Sequence, residues 1–467
     1  MDDQVERDAL KAGSRITRRQ VLKNGLIGAA GLAFLPAVIA ACGNSTPTPP
    51  PTPTPATGPA TPTAPTATAS LSGKVTVGSF NLDGVPSAAL AGAIAAFQAL
   101  NPGVAVTVDA VDHTMFQMEI DDYLPAAPQD LVSWFPGYRM REFAGKGLLT
   151  PIDAVWAGPM GKLYTDAFRT ACTANDGHLY MVPWTTYTWT MYYVPSLWQA
   201  KGYTIPTTLD ELKTLAARMK SDGLVPIGFG DRDGWPAMGY FDIIDLRENG
   251  YQFHIDLLAG KEKWTDPRVA QVFNVWKTLL PYCQSGAIYR VWQDAAAGLV
   301  GGTTGMMFQP QVVETVAATG SPALADLDMF PWPHHGTEWD AEEALDAPID
   351  GWFLTSKSPT VAADEANARA LLAFLGQGST QMLYAQGNRE GICPANDADT
   401  SRYTPLQKRQ AQIIAKAKKI TQFLDRDTAP GFAGPQLFGS FLADFLSNPD
   451  QDLSGFLPKI QRFWDAL

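Results

Sequence analysis

Aromatic side chains placed close to charged or amide groups are the residues of this chain best suited to chemistry with a ligand. Thirteen tryptophans occur, and Trp235 lies in a loop rich in glycine and aspartate. Four further candidates follow a short apolar run: Trp134, Phe135, Tyr138 and Arg139. Aromatic rings stack on apolar ligand faces, while carboxylates, amides and guanidinium groups hydrogen bond to polar ligand edges. This combination favours non-covalent binding of a small molecule.

Catalytic chemistry has little support in the sequence. Gly-x-Ser-x-Gly, the phosphate-binding loop, His-Glu-x-x-His and Cys-x-x-Cys are all absent. A glycoside hydrolase needs two carboxylates about 5–10 Å apart. The acidic cluster that could supply them lies in a stretch typical of a solvated loop: Glu338, Glu342, Glu343 and Asp346. We therefore expect no enzyme activity, and an exported glycoside hydrolase stays as an alternative.

Metal, cofactor and nucleic acid sites are not expected either. The five histidines and four cysteines are far apart, and the pair His334-His335 predicts a surface loop. Asp231 and Asp233 lack the twelve-residue calcium loop with its terminal glutamate. A net charge of −12 argues against a basic surface for phosphate backbones.

The N-terminal residues have the parts of a bacterial export signal. Arg18 and Arg19 precede an apolar run, Leu26–Ala41, which ends in Ile-Ala-Ala-Cys at Cys42. Because this run is shorter than the roughly 20 residues that span a bilayer, a membrane-anchor helix is the less favoured alternative. The pattern resembles a twin-arginine signal over 1–41, although Val21 stands where phenylalanine is usual, so the Sec export route stays as an alternative. The ending resembles a lipobox, which implies cleavage before Cys42 and lipid attachment to its sulfur and new amino group.

A low-complexity segment follows the predicted lipidation site. Residues 45–70 contain nine prolines and nine threonines, with no charged or aromatic residue. Such a segment cannot bury a core, and proline at this density favours an extended chain of about 3.1 Å per residue. Residues 42–72 are therefore predicted to be a tether that holds the folded part up to roughly 80 Å from the anchor.

The remaining residues, 73–467, alternate predicted strands and helices, which indicates the α/β class. The predicted strands are Lys74–Phe80, Val104–Val108, Asp130–Trp134 and Tyr187–Tyr193. The predicted helices are Ala88–Leu100, Val269–Leu280, Val361–Leu375, Leu437–Leu446 and Leu453–Leu467, together with one that Thr208 opens through a capping box with Glu211.

Six segments, taken in order, resemble the extracellular solute-binding proteins of the maltose-binding type (family 1), the lipoprotein components of ABC sugar importers. These segments are Phe97–Val108, Asp130–Trp134, Gly177–Pro183 with Met191–Val194, Thr207–Leu212, Gly301–Phe308 and Asp350–Trp352. Two positions depart from the family's motifs: Gln129 replaces a proline, and Leu209 replaces a tryptophan.

The resemblance implies a two-lobed periplasmic-binding-protein fold, with two α/β lobes joined by a hinge of two or three crossing segments. Lobe one is expected at 73–186 plus 349–395, and lobe two at 190–345 plus 400–467. The ligand then binds in the cleft between the lobes, which close on it by hinge bending. The closed form is expected to dock on the permease subunits of an ABC importer.

The resemblance also implies which residues line the cleft, in addition to the five aromatic and arginine candidates above. These are Phe80, Asn81 and Asp83 after the first strand, Trp184 and Tyr187 at the first crossing, Gln309 and Gln311 after the strand ending at 308, Asp350 and Trp352 at the return crossing, and Arg389. Alternatives stay open for three of them: a core position for Trp134, an Asx turn at Asp83 and a hinge-capping carboxylate at Asp350.

The expected function is capture of a carbohydrate, either a monosaccharide or a small oligosaccharide, by a monomer that needs no cofactor. A polyol phosphate or a small organic cation is the alternative ligand, and a surface adhesin is a third class. The protein is expected at the outer face of the bacterial cytoplasmic membrane, in contact with the membrane through its lipid anchor only. Cys172 and Cys393 share the predicted lobe one and could pair, whereas Cys283 is expected to stay free.

Overall fold

The structure is a computed structural model that describes residues 71–467 except 83, 319, 388–390 and 435. The predicted export signal, lipidation site and most of the tether lie outside the described residues. Five individually predicted positions are therefore not described: Arg18, Arg19, Cys42, Asp83 and Arg389.

Twelve strands form the sheets of the described part. They are β1 Gly73–Ser79, β2 Val104–Ala110, β3 Leu131–Trp134, β4 Leu149–Thr150, β5 Met181–Thr186, β6 Thr190–Tyr193, β7 Val225–Gly228, β8 Thr304–Gln309, β9 Asp328–Phe330, β10 Ala344–Asp346, β11 Ile349–Thr355 and β12 Lys419–Thr421.

The larger sheet has six strands in the order β2-β1-β3-β11-β4, with β5 paired to β11. Its β1 is parallel to β2 and β3, and the helical crossovers between these strands cover the sheet. Strand β11 returns late in the sequence and inserts antiparallel beside β3 and β5. All strands of this sheet therefore come from 73–186 and 349–355.

A second sheet has four strands in the order β7-β8-β6-β9 and takes them all from 190–330. Every residue of β6 and β8 is buried, as expected for central strands covered on both faces. A short parallel pair, β10 with β12, joins residues 344–346 to 419–421. Two sheets from separate chain regions agree with the expected pair of α/β units, although the lobe limits themselves stay a prediction.

Sixteen α-helices surround the sheets in the described part. They are α1 Gly84–Leu100, α2 His113–Ala126, α3 Tyr138–Gly145, α4 Asp153–Ala157, α5 Asp166–Ala171, α6 Pro195–Lys201, α7 Leu209–Ser221, α8 Pro236–Leu258, α9 Pro267–Leu279, α10 Trp292–Val300, α11 Pro322–Ala325, α12 Val361–Leu375, α13 Gly378–Gly387, α14 Pro405–Ile414, α15 Phe438–Ser447 and α16 Leu453–Trp464.

Local sequence signals explain where several helices begin. The side chain of Thr208 accepts a hydrogen bond from the Glu211 N–H, and the Glu211 carboxylate accepts one from the Thr208 N–H, so the predicted capping box starts α7. Helix α12 has the predicted limits, whereas α1 begins at Gly84, four residues before the predicted start. Helix α8 is interrupted at Gly250, where φ is 82° and an added Cβ would overlap the ring of Trp339.

The predicted single strand over 187–193 is wrong in its first half. Strand β5 ends at Thr186 and β6 begins at Thr190, and the backbone between them pairs with a different segment. The Tyr187 N–H donates to the Pro348 carbonyl oxygen, and the Trp189 N–H donates to that of Asp346. The alternation of side chains continues through 187–189 because this stretch is also extended and pairs with a second extended segment. The sequence pattern is the same for both pairings, so it does not show where one strand ends and the next begins.

Two hydrophobic clusters form the core. One covers the larger sheet and also contacts one face of the smaller sheet, through residues such as Tyr192 and Met307. The other fills the opposite face of the smaller sheet, around Tyr240, Trp276 and Phe308. Because the first cluster continues from one sheet to the other, the crossing segments are fixed by packing on both sides. Among the described helices, none is both long and apolar enough to cross a membrane.

Candidate functional site

Arg426 is the centre of a cluster of charged and aromatic residues between the two sheets. Its Nη1 donates to Asp350 Oδ1 at 2.9 Å, and both side chains are mostly buried. Its guanidinium lies 4.3 Å from the ring centroid of Phe135 and 5.9 Å from that of Tyr187. A planar cation that both stacks on rings and binds a carboxylate is held in one orientation.

The elements of the fold explain how these four residues meet. Phe135 directly follows β3, Tyr187 follows β5, and Asp350 lies in β11, which pairs with both strands. Arg426 arrives on the loop after β12, so the tertiary fold brings it to this sheet edge. Ligands of open α/β sheets bind beyond strand ends of this kind.

Two further aspartates, Asp346 and Asp425, lie near Arg426. Asp346 is fully buried at the end of β10, and neither of its carboxylate oxygens has a hydrogen-bond partner in the described part of the chain. Burial raises the pKa of Asp346 well above its ordinary value, the charges of Asp425 and Asp427 add to this effect, and Arg426 opposes it. Asp346 therefore has two buried acceptors available for a polar ligand.

A second aromatic group adjoins Phe135. The Phe80 ring lies 5.6 Å from that of Phe135 and 4.7 Å from that of His113. Burial, followed by the positive charge of Arg426, lowers the pKa of His113 to about 4. Asn81, which follows Phe80, is half-buried, and its backbone N–H donates to Ser79 Oγ. His113 is thus neutral near pH 7 and can donate and accept one hydrogen bond each.

Trp235, predicted from its loop position to contact ligand, packs in an aromatic cluster of its own. Its ring lies 5.7 Å from Trp189, 6.1 Å from Trp292 and 6.4 Å from Phe423. It is half-buried, immediately before helix α8. Phe423 is three residues before Arg426, so the same loop contacts both aromatic groups.

Several predicted contacts have structural roles instead. Trp134 is fully buried beneath Phe135, which supports the core alternative for this residue. Trp184 and Trp352 contact each other edge to face at 6.3 Å and are buried in the core of the larger sheet. Their indole N–H groups find no acceptor among the described residues.

Arg139 and Tyr138 fix the loop that carries Arg426. Arg139 Nη2 donates to the Asp425 carbonyl oxygen at 2.5 Å, and its Nη1 donates to Gln117 Oε1 at 3.0 Å. The Tyr138 N–H donates to Asp427 Oδ1 at 2.6 Å. These two predicted contacts therefore position other residues of the site.

Gln309 and Gln311 are both fully buried at the end of β8. Gln309 pairs with Thr190 across the smaller sheet, and its amide oxygen and nitrogen have no hydrogen-bond partner within the described residues. Gln309 thus resembles Asp346 in offering buried polar atoms where the crossing segments meet.

Sequence reasoning missed four residues of this arrangement: Arg426, Asp346, Asp425 and His113. The run Asp425-Arg426-Asp427 follows the apolar pair Phe423-Leu424, and this charged triplet next to buried residues was the one available signal. Asp346 was assigned to a solvated acidic loop, and the structure corrects this because β10 buries it.

His335 and the three described cysteines lie outside the Arg426 cluster. His335 was expected in a surface loop, but its side chain is buried and its Nδ1 lies 2.6 Å from Glu248 Oε1. Cys172, Cys283 and Cys393 are all free, so Cys172 and Cys393 do not pair. In the described part of the chain, no group of three or more histidine, cysteine, aspartate or glutamate residues is arranged to hold a metal ion.

The structure is similar to solved structures of bacterial solute receptors. The solved structure of AcbH, a bacterial solute receptor with an exclusive substrate preference for β-D-galactopyranose, superposes with a TM-score of 0.79. It is 37% identical and covers 84% of this chain and 99% of its own. The two-lobed fold and the α/β class expected from the sequence are confirmed by this likeness.

Proteins similar in sequence are also binding proteins by their names. The alpha-glucosides-binding periplasmic protein AglE of Rhizobium meliloti (strain 1021) is 22% identical over 385 residues, which is 78% of this chain and 81% of AglE. An uncharacterized ABC transporter extracellular-binding protein of Pyrococcus horikoshii is 25% identical over 328 residues, 69% of this chain and 70% of that protein. The profile of the bacterial extracellular solute-binding proteins matches residues 82–381. The chain belongs to this family of bacterial extracellular solute-binding proteins.

Proposed function

We propose that this protein is the substrate-binding component of an ABC importer and that it captures a carbohydrate at the Arg426 cluster. The observation that carries the proposal is the 2.9 Å pair between Arg426 and Asp350, with the guanidinium 4.3 Å from the face of Phe135. Charged hydrogen-bonding groups beside an aromatic face match the two surfaces of a sugar ring.

The surrounding groups extend this match. Asp346 offers two buried oxygens without partners among the described residues, and because burial raises its pKa and favours the protonated form, this carboxyl group can both donate to and accept from sugar hydroxyl groups. Gln309 adds an amide that can donate and accept. A ligand that satisfied these atoms would remove the free-energy cost of burying them unpaired, about 1–3 kcal/mol for each group.

The relatives narrow the choice of ligand. AcbH prefers β-D-galactopyranose, and AglE binds alpha-glucosides. We therefore propose a monosaccharide or a small oligosaccharide, with D-galactose as the first sugar to test. Three carboxylates around one arginine also favour a second candidate, a small organic cation, which the same titration distinguishes.

The proposed transport cycle needs no chemical step in this chain. Lobe one, at 73–186 plus 349–395, and lobe two, at 190–345 plus 400–467, would close on the sugar by bending at the crossing segments. The closed monomer would then dock on the membrane permease, whose partner subunits hydrolyse ATP. Substrate leaves unchanged, so we propose that the protein is not an enzyme.

Location follows from the N-terminal pattern. We propose export through a signal containing Arg18 and Arg19, cleavage before Cys42 and lipid attachment there, with residues 42–72 as the tether. Mass spectrometry of the membrane-extracted protein should show a lipidated N-terminal Cys42. Recovery of a Cys42→Ala variant in the same lipidated membrane form would contradict this assignment.

The test of function is calorimetric titration of residues 71–467, first unfolded and refolded to remove bound ligand, with D-galactose, maltose, raffinose and choline. Asp350→Asn should weaken sugar binding at least tenfold, about 1.4 kcal/mol, because the variant loses a charged acceptor. Glu365→Gln is the matched control, since Glu365 is a partly exposed carboxylate that pairs with Arg369 within helix α12.

Each outcome of the titration has a defined meaning. Saturable binding of one sugar class, with the same sugar recovered afterwards, supports the proposal. Recovery of a hydrolysed product indicates an enzyme, and a response to choline alone overturns the carbohydrate assignment.

A further inference from the structure

A groove separate from the Arg426 cluster lies beside the end of β9. It consists of a cavity of about 470 Å³ and an adjoining cavity of about 520 Å³. Both cavities are lined by the same five residues, Pro331, Trp332, His334, Glu343 and Lys416. We call this surface the Trp332 groove. None of its lining residues belongs to the proposed sugar site, so the inference below is independent of the proposed function.

The groove is positively charged in a chain whose net charge is −12. Its lining contains four cationic side chains and one carboxylate: Arg247, Arg409, Lys416 and Lys418, with Glu343. Glu343 Oε2 lies 3.7 Å from His334 Nε2, so the one carboxylate has a partner inside the groove. An excess of positive charge at one cavity favours an anion there.

Arg247 gives the groove a buried cation. Its side chain comes from helix α8 and is 2% exposed. Nη1 donates to the Ala344 carbonyl oxygen at 2.9 Å, whereas Nε has no partner in the described part of the chain. A buried guanidinium with an unused N–H donor is costly, and this cost falls when an oxyanion accepts from it.

The aromatic wall of the groove is held in place by a chain of hydrogen bonds. Trp332 Nε1 donates to His335 Nε2 at 2.9 Å, and His335 Nδ1 lies 2.6 Å from Glu248 Oε1. This arrangement fixes the ring of Trp332. Arg409 is also held from one side, since its Nε donates to the Met329 carbonyl oxygen at 3.0 Å and lies 3.8 Å from Asp328 Oδ1, so that carboxylate offsets part of its charge. The groove thus has fixed walls around its cations.

We propose that the Trp332 groove binds a small oxyanion, the carboxylate or phosphate group of a small molecule. Arg247 and Arg409 supply planar donors that match the oxygens of either group, and Lys416 adds a compact charge. Lys416 is exposed and lines both cavities, which leaves its ammonium group available to the ligand. Pro331, which is also exposed there, supplies an apolar surface for the rest of the molecule.

The test is calorimetric titration of the full mature chain with inorganic phosphate and, separately, with acetate. We expect saturable binding of at least one anion. The double variant Arg409→Gln/Lys416→Gln should weaken that binding at least tenfold and leave sugar affinity unchanged. The matched control is Lys408→Gln/Lys213→Gln, which removes the same charge from two positions that do not line the groove.

The results separate the two sources of the oxyanion. Binding of phosphate alone assigns a phosphorylated ligand, and binding of acetate alone assigns a carboxylate; either supports the proposal. Absence of saturable binding by both anions, or equal weakening by the control variant, would overturn it. If the double variant unfolds, as judged by circular dichroism, the exposed single change Lys416→Gln is measured instead, with an expected loss of at least threefold.

Discussion

At the scale of single residues, the proposed site depends on one arginine that contacts groups from distant parts of the sequence. Arg426 binds Asp350 and lies over the rings of Phe135 and Tyr187. A guanidinium can do both because it is planar and carries several donors, whereas an ammonium group is a compact point charge. The identity of the cation therefore matters more here than its charge.

Arg426→Lys is expected to weaken sugar binding about tenfold or more while the protein stays folded, because the charge is kept and the planar donors are lost. Calorimetric titration and thermal melting would measure the two effects. Arg402→Lys, at an exposed position, is the control. Unchanged affinity in Arg426→Lys would show that the guanidinium plane has no role in binding.

A second prediction concerns Asp231, which accepts a hydrogen bond from the Ala237 N–H at the start of α8. Burial is the largest cause that raises its pKa from 3.8 to about 7. Because the folded pKa is the higher one, ionisation opposes folding, and stability decreases as pH rises from about 4 through about 7. The loss is at most about 4 kcal/mol.

Asp231→Asn keeps the acceptor and removes the titration, so its free energy of unfolding should fall less between pH 5 and pH 8 than that of the natural protein. Urea denaturation at both pH values measures the difference. Identical pH dependence in the two proteins would contradict a raised pKa for Asp231.

At the scale of elements, helix α8 connects the aromatic cluster of Trp235 to the core. The helix starts directly after Trp235, and Gly239 in its first turns faces Trp189 so closely that an added Cβ would overlap the indole ring. Trp189 in turn lies 5.0 Å from Phe423, on the loop that carries Arg426. Packing at one glycine is thereby linked to the position of the site loop.

Gly239→Ala should lower the free energy of unfolding by about 1–3 kcal/mol and weaken sugar binding, because Trp189 has to move. Gly145→Ala is the control, since an added Cβ at the end of α3 meets no atom within 4 Å. That change should be neutral or stabilising by up to about 1 kcal/mol. Equal effects of the two alanines would contradict the tight contact with Trp189.

At the scale of the whole molecule, the two sheets are joined by extended segments that pair with each other. The Thr186 and Ile392 backbones exchange two hydrogen bonds, and Ala347 N–H donates to the Thr421 carbonyl oxygen. Asp346 and Gln309 lie beside these crossing segments, and their polar side-chain atoms lack partners among the described residues. The same region therefore carries both the connection and the available polar groups.

The three described cysteines give a prediction for the whole molecule, because all of them are free. Burial raises the pKa of Cys283 and Cys393 to about 12 and that of Cys172 still higher, so thiolate is scarce in the folded protein at pH 8. Alkylation without reductant should be slow in the folded state and reach three adducts in denaturant for residues 71–467, as measured by intact mass. A protein that takes up one adduct after unfolding would contain a disulfide.

The features that could be predicted from the sequence alone are those that depend on local interactions. Strands β1 and β2, the capping box of α7 and the limits of α12 were predicted because periodicity and caps depend on residues within a few positions of each other. The order of short motifs was sufficient to predict the family and the two-lobed fold. Phe135, Tyr187 and Asp350 were named from the same motifs, and the structure brings them together around Arg426, whereas their contact with a ligand stays a prediction.

The contacts between polar groups from distant parts of the chain could not be predicted from the sequence and are seen only in the folded structure. Arg426 and Asp350 are 76 residues apart, and no local pattern predicts that β12 delivers one to the other. Burial also depends on packing between distant parts of the chain. Asp346 was therefore expected in a solvated loop but is buried, and Trp184 and Trp352 were expected in the cleft but lie in the core. Spacing along the chain fixes neighbours within an element, whereas a binding site forms from the ends of several elements, whose approach depends on the packing of the whole core.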